Sequence, residues 1–152
     1  MTAPQIDFYV LAASDTQSRL RFTCRLVEKA WLKRHRVRVQ FDPGGELEAF
    51  DQMLWTFSDR SFVPHRRAGA PDDVPAPAPP LVVISDTTDA DAADGDVLVN
   101  LAASAPPVIE GWSRIAEVVD SDSGRRTQGR DRFRAYRERG FSPATHEMRS
   151  EA

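Results

Sequence analysis

"DFYVLAASDTQSRLRFTCRLVEKAWLKRHRVRVQF" (residues 7–41) contains a complete strand–helix–strand pattern, and its reading sets the architecture. Residues 7–11 form a short apolar run rich in β-formers, the pattern of a buried strand. In "SDTQ", Ser14 and Gln17 have capping-box spacing for a helix start. Leu20, Cys24, Val27 and Trp31 then fall at offsets of 4, 7 and 11, one apolar stripe along that helix. Cys24 lies inside the stripe and reads as core rather than as a nucleophile. "VRVQF" (residues 37–41) alternates as a second strand, and "DPGG" turns the chain.

Outward from this unit, a second helix places Leu47, Phe50, Leu54 and Phe57 on one face, with Trp55 at the edge of the stripe. Residues 68–80 carry five prolines in 13 positions and read as an extended loop. "LVVIS" (81–85) and "VLVNL" (97–101) are further buried-strand runs. The acidic loop between them, residues 86–96, has five aspartates in 11 positions and is short for a parallel crossover. Those two strands are therefore expected to be antiparallel or joined irregularly. A short helix over 108–114, a strand at "IAEVVD" (115–120) and an arginine-rich helix complete a domain spanning 1–141, and residues 142–152 read as a fraying, flexible tail. The expected fold is a single-domain, three-layer α/β/α sandwich. It is Rossmann-like, with a mixed, mostly parallel sheet of about five strands.

Composition narrows the function. A chain of 152 residues with 41% hydrophobic and 28% charged content is an ordinary globular domain. No apolar run approaches the roughly 18 residues of a membrane span, and "MTAPQIDFYVLAA" lacks the pattern of a signal peptide. A cytoplasmic location is expected. One cysteine and three scattered histidines exclude an internal disulfide and the usual zinc patterns. "LAASD" stands after the first strand where a nucleotide site would need glycines, and no G-x-S-x-G elbow occurs. The aspartates of 86–96 lack calcium-loop spacing. No catalytic residue, metal or cofactor is expected, and an enzyme is disfavoured.

The remaining feature is "GRRTQGRDRFRAYRERGF" (residues 124–141). Seven arginines against two acids give it net +5, in a chain of net charge −3. Wound as a helix, Arg126, Arg130, Phe133 and Arg137 share a face, with Arg134 at its edge. Arg132 and Arg139 point elsewhere and read as solvated. Gly140 suits the left-handed position after the helix, with Phe141 folding back. Gly129 is a weakness, since a helix beginning only there would leave Arg126 off the face. The helix dipole explains the last cations but not the first. Single-stranded nucleic acid and a short acidic peptide both remain candidates. The compact patch and the flanking aspartates, Asp120 and Asp122 among them, favour the peptide, whose carboxylates guanidinium forks bind in pairs.

Taken together, "DFYVL", "LWTFSDRSFVPH", "DVLVNL", "AEVVD" and "RDRFRAYRERGF" resemble, in order and over nearly the whole chain, the chi subunit family of bacterial DNA polymerase III. The resemblance implies a non-enzymatic accessory subunit. It would pair one-to-one with the psi subunit, reach the clamp loader through psi, and bind the acidic C-terminal tail of single-stranded-DNA-binding protein. Carried over by motif, the tail-binding residues would be Arg126, Arg130, Phe133 and Arg134, with Phe141 nearby and Val119 walling the pocket. The psi-facing surface would centre on Trp55, Phe62, Val63 and Pro64, beside His65. A helicase-type partner is a further candidate for that face.

Overall fold

The computed structural model describes residues 4–58, 62–68, 82–86 and 96–148. Strand β1 (Gln5–Leu11) feeds helix α1 (Thr16–Leu32) and then β2 (Val37–Gln40) and α2 (Leu47–Thr56). Three short strands, β3 (His65–Arg67), β4 (Val82–Ser85) and β5 (Val97–Asn100), precede β6 (Arg114–Val119), helix α3 (Ser123–Glu138) and β7 (Ala144–Met148). They form one seven-stranded sheet in the order β3-β4-β2-β5-β6-β1-β7.

The expected sandwich is present, with α1 and α2 on one sheet face and α3 on the other. Leu20, Cys24, Val27, Phe50 and Leu54 close the first layer against Val39, Ile84, Val99 and Val118. Ile109, Trp112 and Tyr136 close the second against Ile6, Phe8, Leu98 and Ile115. Burial pushes the Cys24 thiol up to about 12, as befits a core residue. Arg19, also buried, ties the layers together: its guanidinium donates to Glu46 Oε2 at 2.9 Å and to the Leu101 carbonyl at 3.0 Å.

Several details differ from the sequence reading. Every strand pair described is parallel. β4 and β5 are not neighbours but flank β2 on either side, which removes the reason to expect an antiparallel pair. The cap of α1 is Asp15, one residue later than expected, accepting from Ser18 N at 2.9 Å. No helix forms over 108–114, where Pro106, Pro107 and Gly111 (φ 103°) break the backbone while Ile109 and Trp112 plug the sheet. Residues 144–148, expected to fray, form an edge strand, β7. His146 there stacks on Tyr9 with ring centroids 5.3 Å apart and bonds the buried Asp7 at 2.9 Å. Nearly all of the proline-rich loop and the interior of the acidic loop lie outside the described residues.

Candidate functional site

Helix α3 starts at Asp122, whose carboxylate accepts from Arg125 N at 3.0 Å, so Arg126 is helical. Gly129 is the reason the helix can lie so close to the sheet. A Cβ there would meet Val119 Cγ2 at 3.0 Å and Cγ1 at 3.1 Å. The helix ends in a Schellman turn: Gly140 takes φ 91°, its N–H bonds the Arg137 carbonyl at 3.0 Å, and Phe141 N bonds the Tyr136 carbonyl at 3.0 Å.

Beneath the helix lies a polar cluster that the sequence reading missed. Glu117, in the middle of β6, is fully buried. It accepts from Arg132 Nε at 2.7 Å, from the Tyr136 hydroxyl at 2.6 Å and from Asn100 Nδ2 at 2.9 Å. Burial raises the Glu117 carboxyl above its ordinary range, and its three donors work against that shift. The Tyr136 phenol is also raised, first by burial and then by the charge of Glu117. Arg132 is therefore a structural ion-pair partner, not a solvated residue. Arg139 is not free either, since it donates to the Pro106 and Pro107 carbonyls at 3.1 and 2.9 Å. The sequence signal was one acid in the apolar run "IAEVV", facing an Arg–Tyr pair four residues apart.

Outside, Arg130, Phe133, Arg134, Arg137 and Glu138 line an open groove of about 530 Å³. Phe133 is half-buried, its ring tilted on Phe8 at 5.2 Å, so one side rests on the core while the other meets the groove. Arg126, Arg130 and Arg137 are exposed and make no side-chain hydrogen bond or ion pair among the described residues. Arg134 has only a long contact of 4.0 Å to Asp131. Arg137 and Glu138 join the predicted set. Arg126, Val119 and Phe141 are not part of the lining. Val119 is buried under Gly129, and Phe141 is packed half-buried on the same cluster.

One electrostatic premise changes. Asp120 is buried and held by a two-pronged contact from Arg125, at 2.8 and 2.7 Å, while Asp122 caps the helix. Neither aspartate guards the groove against phosphate, so the preference for a carboxylate ligand rests on the compact patch and its guanidinium forks.

A second face lies beside α2. Trp55 and Phe62, 38% and 63% exposed, stand with ring centroids 4.9 Å apart, and Trp55 also covers His65 at 4.0 Å. Val63 is fully buried in the α1–α2 core and offers no surface, because the chain turns it inward as it enters β3. Pro64 is half-buried. His65 is buried, with Nδ1 2.7 Å from the Val63 carbonyl and Nε2 2.7 Å from Asp51 Oδ1. Arg67 holds the other Asp51 oxygen at 2.8 Å. His65 thus supports the aromatic pair from below.

The family model described as "DNA polymerase III chi subunit, HolC" matches residues 3–144. The chain belongs to that family. The chi subunit of Pseudomonas aeruginosa is 33% identical over 144 residues, covering 95% of this chain and 96% of its own length. Those of Haemophilus influenzae and Escherichia coli are each 25% identical, covering 96% and 89% of this chain and 99% and 92% of their own lengths. For a chi-family protein with this geometry, the described residues hold no group of three or more His, Cys, Asp or Glu able to bind a metal. None of its described helices is long and apolar enough to cross a membrane.

Proposed function

We propose that this chi-family chain is a non-catalytic adaptor of the replicative polymerase, gripping the acidic C-terminal tail of single-stranded-DNA-binding protein in the α3 groove. The observation that supports the reading is the set of exposed guanidinium groups around the half-buried ring of Phe133, Arg130 and Arg137 without a side-chain partner among the described residues and Arg134 with only a long contact to Asp131. Arg130 takes the terminal carboxylate, Arg134 in the lining and Arg126 outside it take the aspartates, and Phe133 receives the terminal aromatic ring. The Trp55–Phe62 pair is the anchor for the psi subunit, in a one-to-one heterodimer that reaches the clamp loader. A helicase-type partner would compete for the same pair. Holding one partner on each face raises the effective concentration of coated template near the polymerase, a role in the cytoplasm at the nucleoid.

Titration of a tail peptide tests the groove. Affinity is expected near micromolar, about −8 kcal/mol, and weaker in salt. Arg130→Ala should reduce it strongly, and unchanged binding would remove the assignment. Direct binding of single-stranded nucleic acid to the same groove is the second reading, favoured by the internal pairing of Asp120 and Asp122. It predicts that Arg130→Ala abolishes oligonucleotide binding while leaving the peptide untouched.

A further inference from the structure

A second cationic surface lies at the C-terminal end of helix α1. Arg25, Lys29, Lys33, Arg34 and Arg36 against Glu28 give residues 25–36 net +4, and this segment holds the only two lysines of the chain. Because the strands are parallel and α1 runs back between them, the cluster lies at the end of the sheet where the strands begin. Lys29, Leu32, Lys33, Arg34, His35 and Arg36 are all exposed, Leu32 at 67%.

Helix α1 ends in the same Schellman turn as α3, with Arg34 N bonding the Trp31 carbonyl at 2.9 Å and His35 N the Ala30 carbonyl at 3.1 Å. Where α3 uses Gly140, α1 uses Arg34 at φ 64°, the one non-glycine with positive φ among the described residues. A side chain there meets a clash that glycine avoids, so the fold alone would favour glycine. The helix dipole offers only about half a negative charge at this end, too little to account for Lys29, Lys33 and Arg34 together. The turn is also held rigid. Arg36 N donates to Asp96 Oδ2 at 2.9 Å, and Asp96 N returns a bond to the Arg36 carbonyl at 2.8 Å.

We propose that this turn binds the backbone of single-stranded nucleic acid directly, independently of the α3 groove. The surface is the exposed C-terminal end of helix α1. Three arginines and two lysines gathered on such an end match the spaced charges of a phosphate chain, which guanidinium forks and ammonium groups both bind. Exposed Leu32 and the imidazole of His35 supply the apolar and aromatic contact that unpaired bases accept and a duplex withholds.

Fluorescence anisotropy of labelled oligothymidylate with the full chain is the test, alongside thermal unfolding. Arg34→Gly should raise the melting temperature by about 2–4 °C while weakening binding, opposite signs that a purely structural role cannot produce. Lys33→Ala should weaken binding too, each lost cation flattening the log–log salt slope by about 0.7. Arg130→Ala should leave oligonucleotide binding intact. Unchanged affinity in both turn variants, or loss in Arg130→Ala, would overturn the proposal. So would equal competition by a duplex or by polyglutamate, the second pointing to an acidic polypeptide instead. Failure of Arg34→Gly to stabilise would remove the strain on which it rests.

Discussion

The seat of α3 on β6 can be tested at a single methyl group. In an exposed helix, Gly→Ala gains about 1 kcal/mol. At Gly129 the new Cβ would sit 3.0 and 3.1 Å from the two Val119 methyls, where carbon atoms normally rest about 3.5–4.0 Å apart. Val119 cannot easily yield, being β-branched, buried and fixed in a strand. Overpacking of this kind costs about 1–3 kcal/mol, so Gly129→Ala should be neutral or destabilising by about 2 kcal/mol. Val119→Ala alone removes two methyls, a loss of about 1.6 kcal/mol before any cavity cost. With them gone, the nearest atom is the Val119 Cβ at 3.6 Å, an ordinary contact. In that background Gly129→Ala should stabilise by about 1 kcal/mol. Equilibrium urea unfolding of the four proteins, followed by circular dichroism, measures the coupling. A stabilising Gly129→Ala in the unaltered chain, or effects additive within about 0.5 kcal/mol, would refute the close contact.

Three other outcomes follow from the same geometry. Glu117→Gln leaves the Arg132 guanidinium buried without a counter-charge and should cost about 3–5 kcal/mol in urea unfolding; a loss under about 1 kcal/mol would contradict the buried pair. The Cys24 thiol moves from 9.0 to about 12, so the unfolded chain ionises first. Its contribution is complete below pH 9 and is lost as pH rises toward 12, at about 1.4 kcal/mol per pH unit. Tyr136 shifts the same way, so Cys24→Ala should reduce the alkaline slope without abolishing it, and an unchanged slope would count against the burial. Finally, Val63→Ala should cost about 1.5–3 kcal/mol as a core change, while exposed Phe62→Ala stays within about 0.5 kcal/mol yet loses psi in a pull-down. Equal stability losses would contradict this division.

The layers were legible because periodicity reports burial, and the stripes from Leu20 and Leu47 are the ones the core contains. What periodicity cannot report is pairing at a distance. β4 and β5 look like neighbours along the chain, yet β2 lies between them, and only the sheet as a whole decides that. β7 was illegible for a different reason. "ATHEM" has no apolar alternation because it is an edge strand with exposed side chains, held by backbone pairing to β1 and by His146. The arginine helix was half legible. Its outward face follows from angular arithmetic, but a buried arginine and a solvated one look alike until the acid beneath is placed.

That buried acid explains why the outer face can be organised at all. At 100° per residue, Arg125, Gly129, Arg132, Tyr136 and Arg139 fall within about 80° of one another and face the sheet. Each is fixed there by a different contact: the Asp120 fork, the Val119 methyls, two bonds to Glu117 and the Pro106–Pro107 carbonyls. Rotating the helix by a third of a turn would break all of them, so its azimuth is set by polar registry as much as by greasy contact. Phe133 lies about 80° from the centre of that inward stripe, which is why its ring straddles core and groove, and the exposed arginines of the outer face follow beyond it. Orientation is thus settled before any ligand arrives, and a ligand need order only the guanidinium tips. It follows that Glu117→Gln, far from the groove lining, should also weaken the tail peptide while the protein remains folded. Undiminished peptide affinity in that variant would show that the groove does not depend on the registry beneath it.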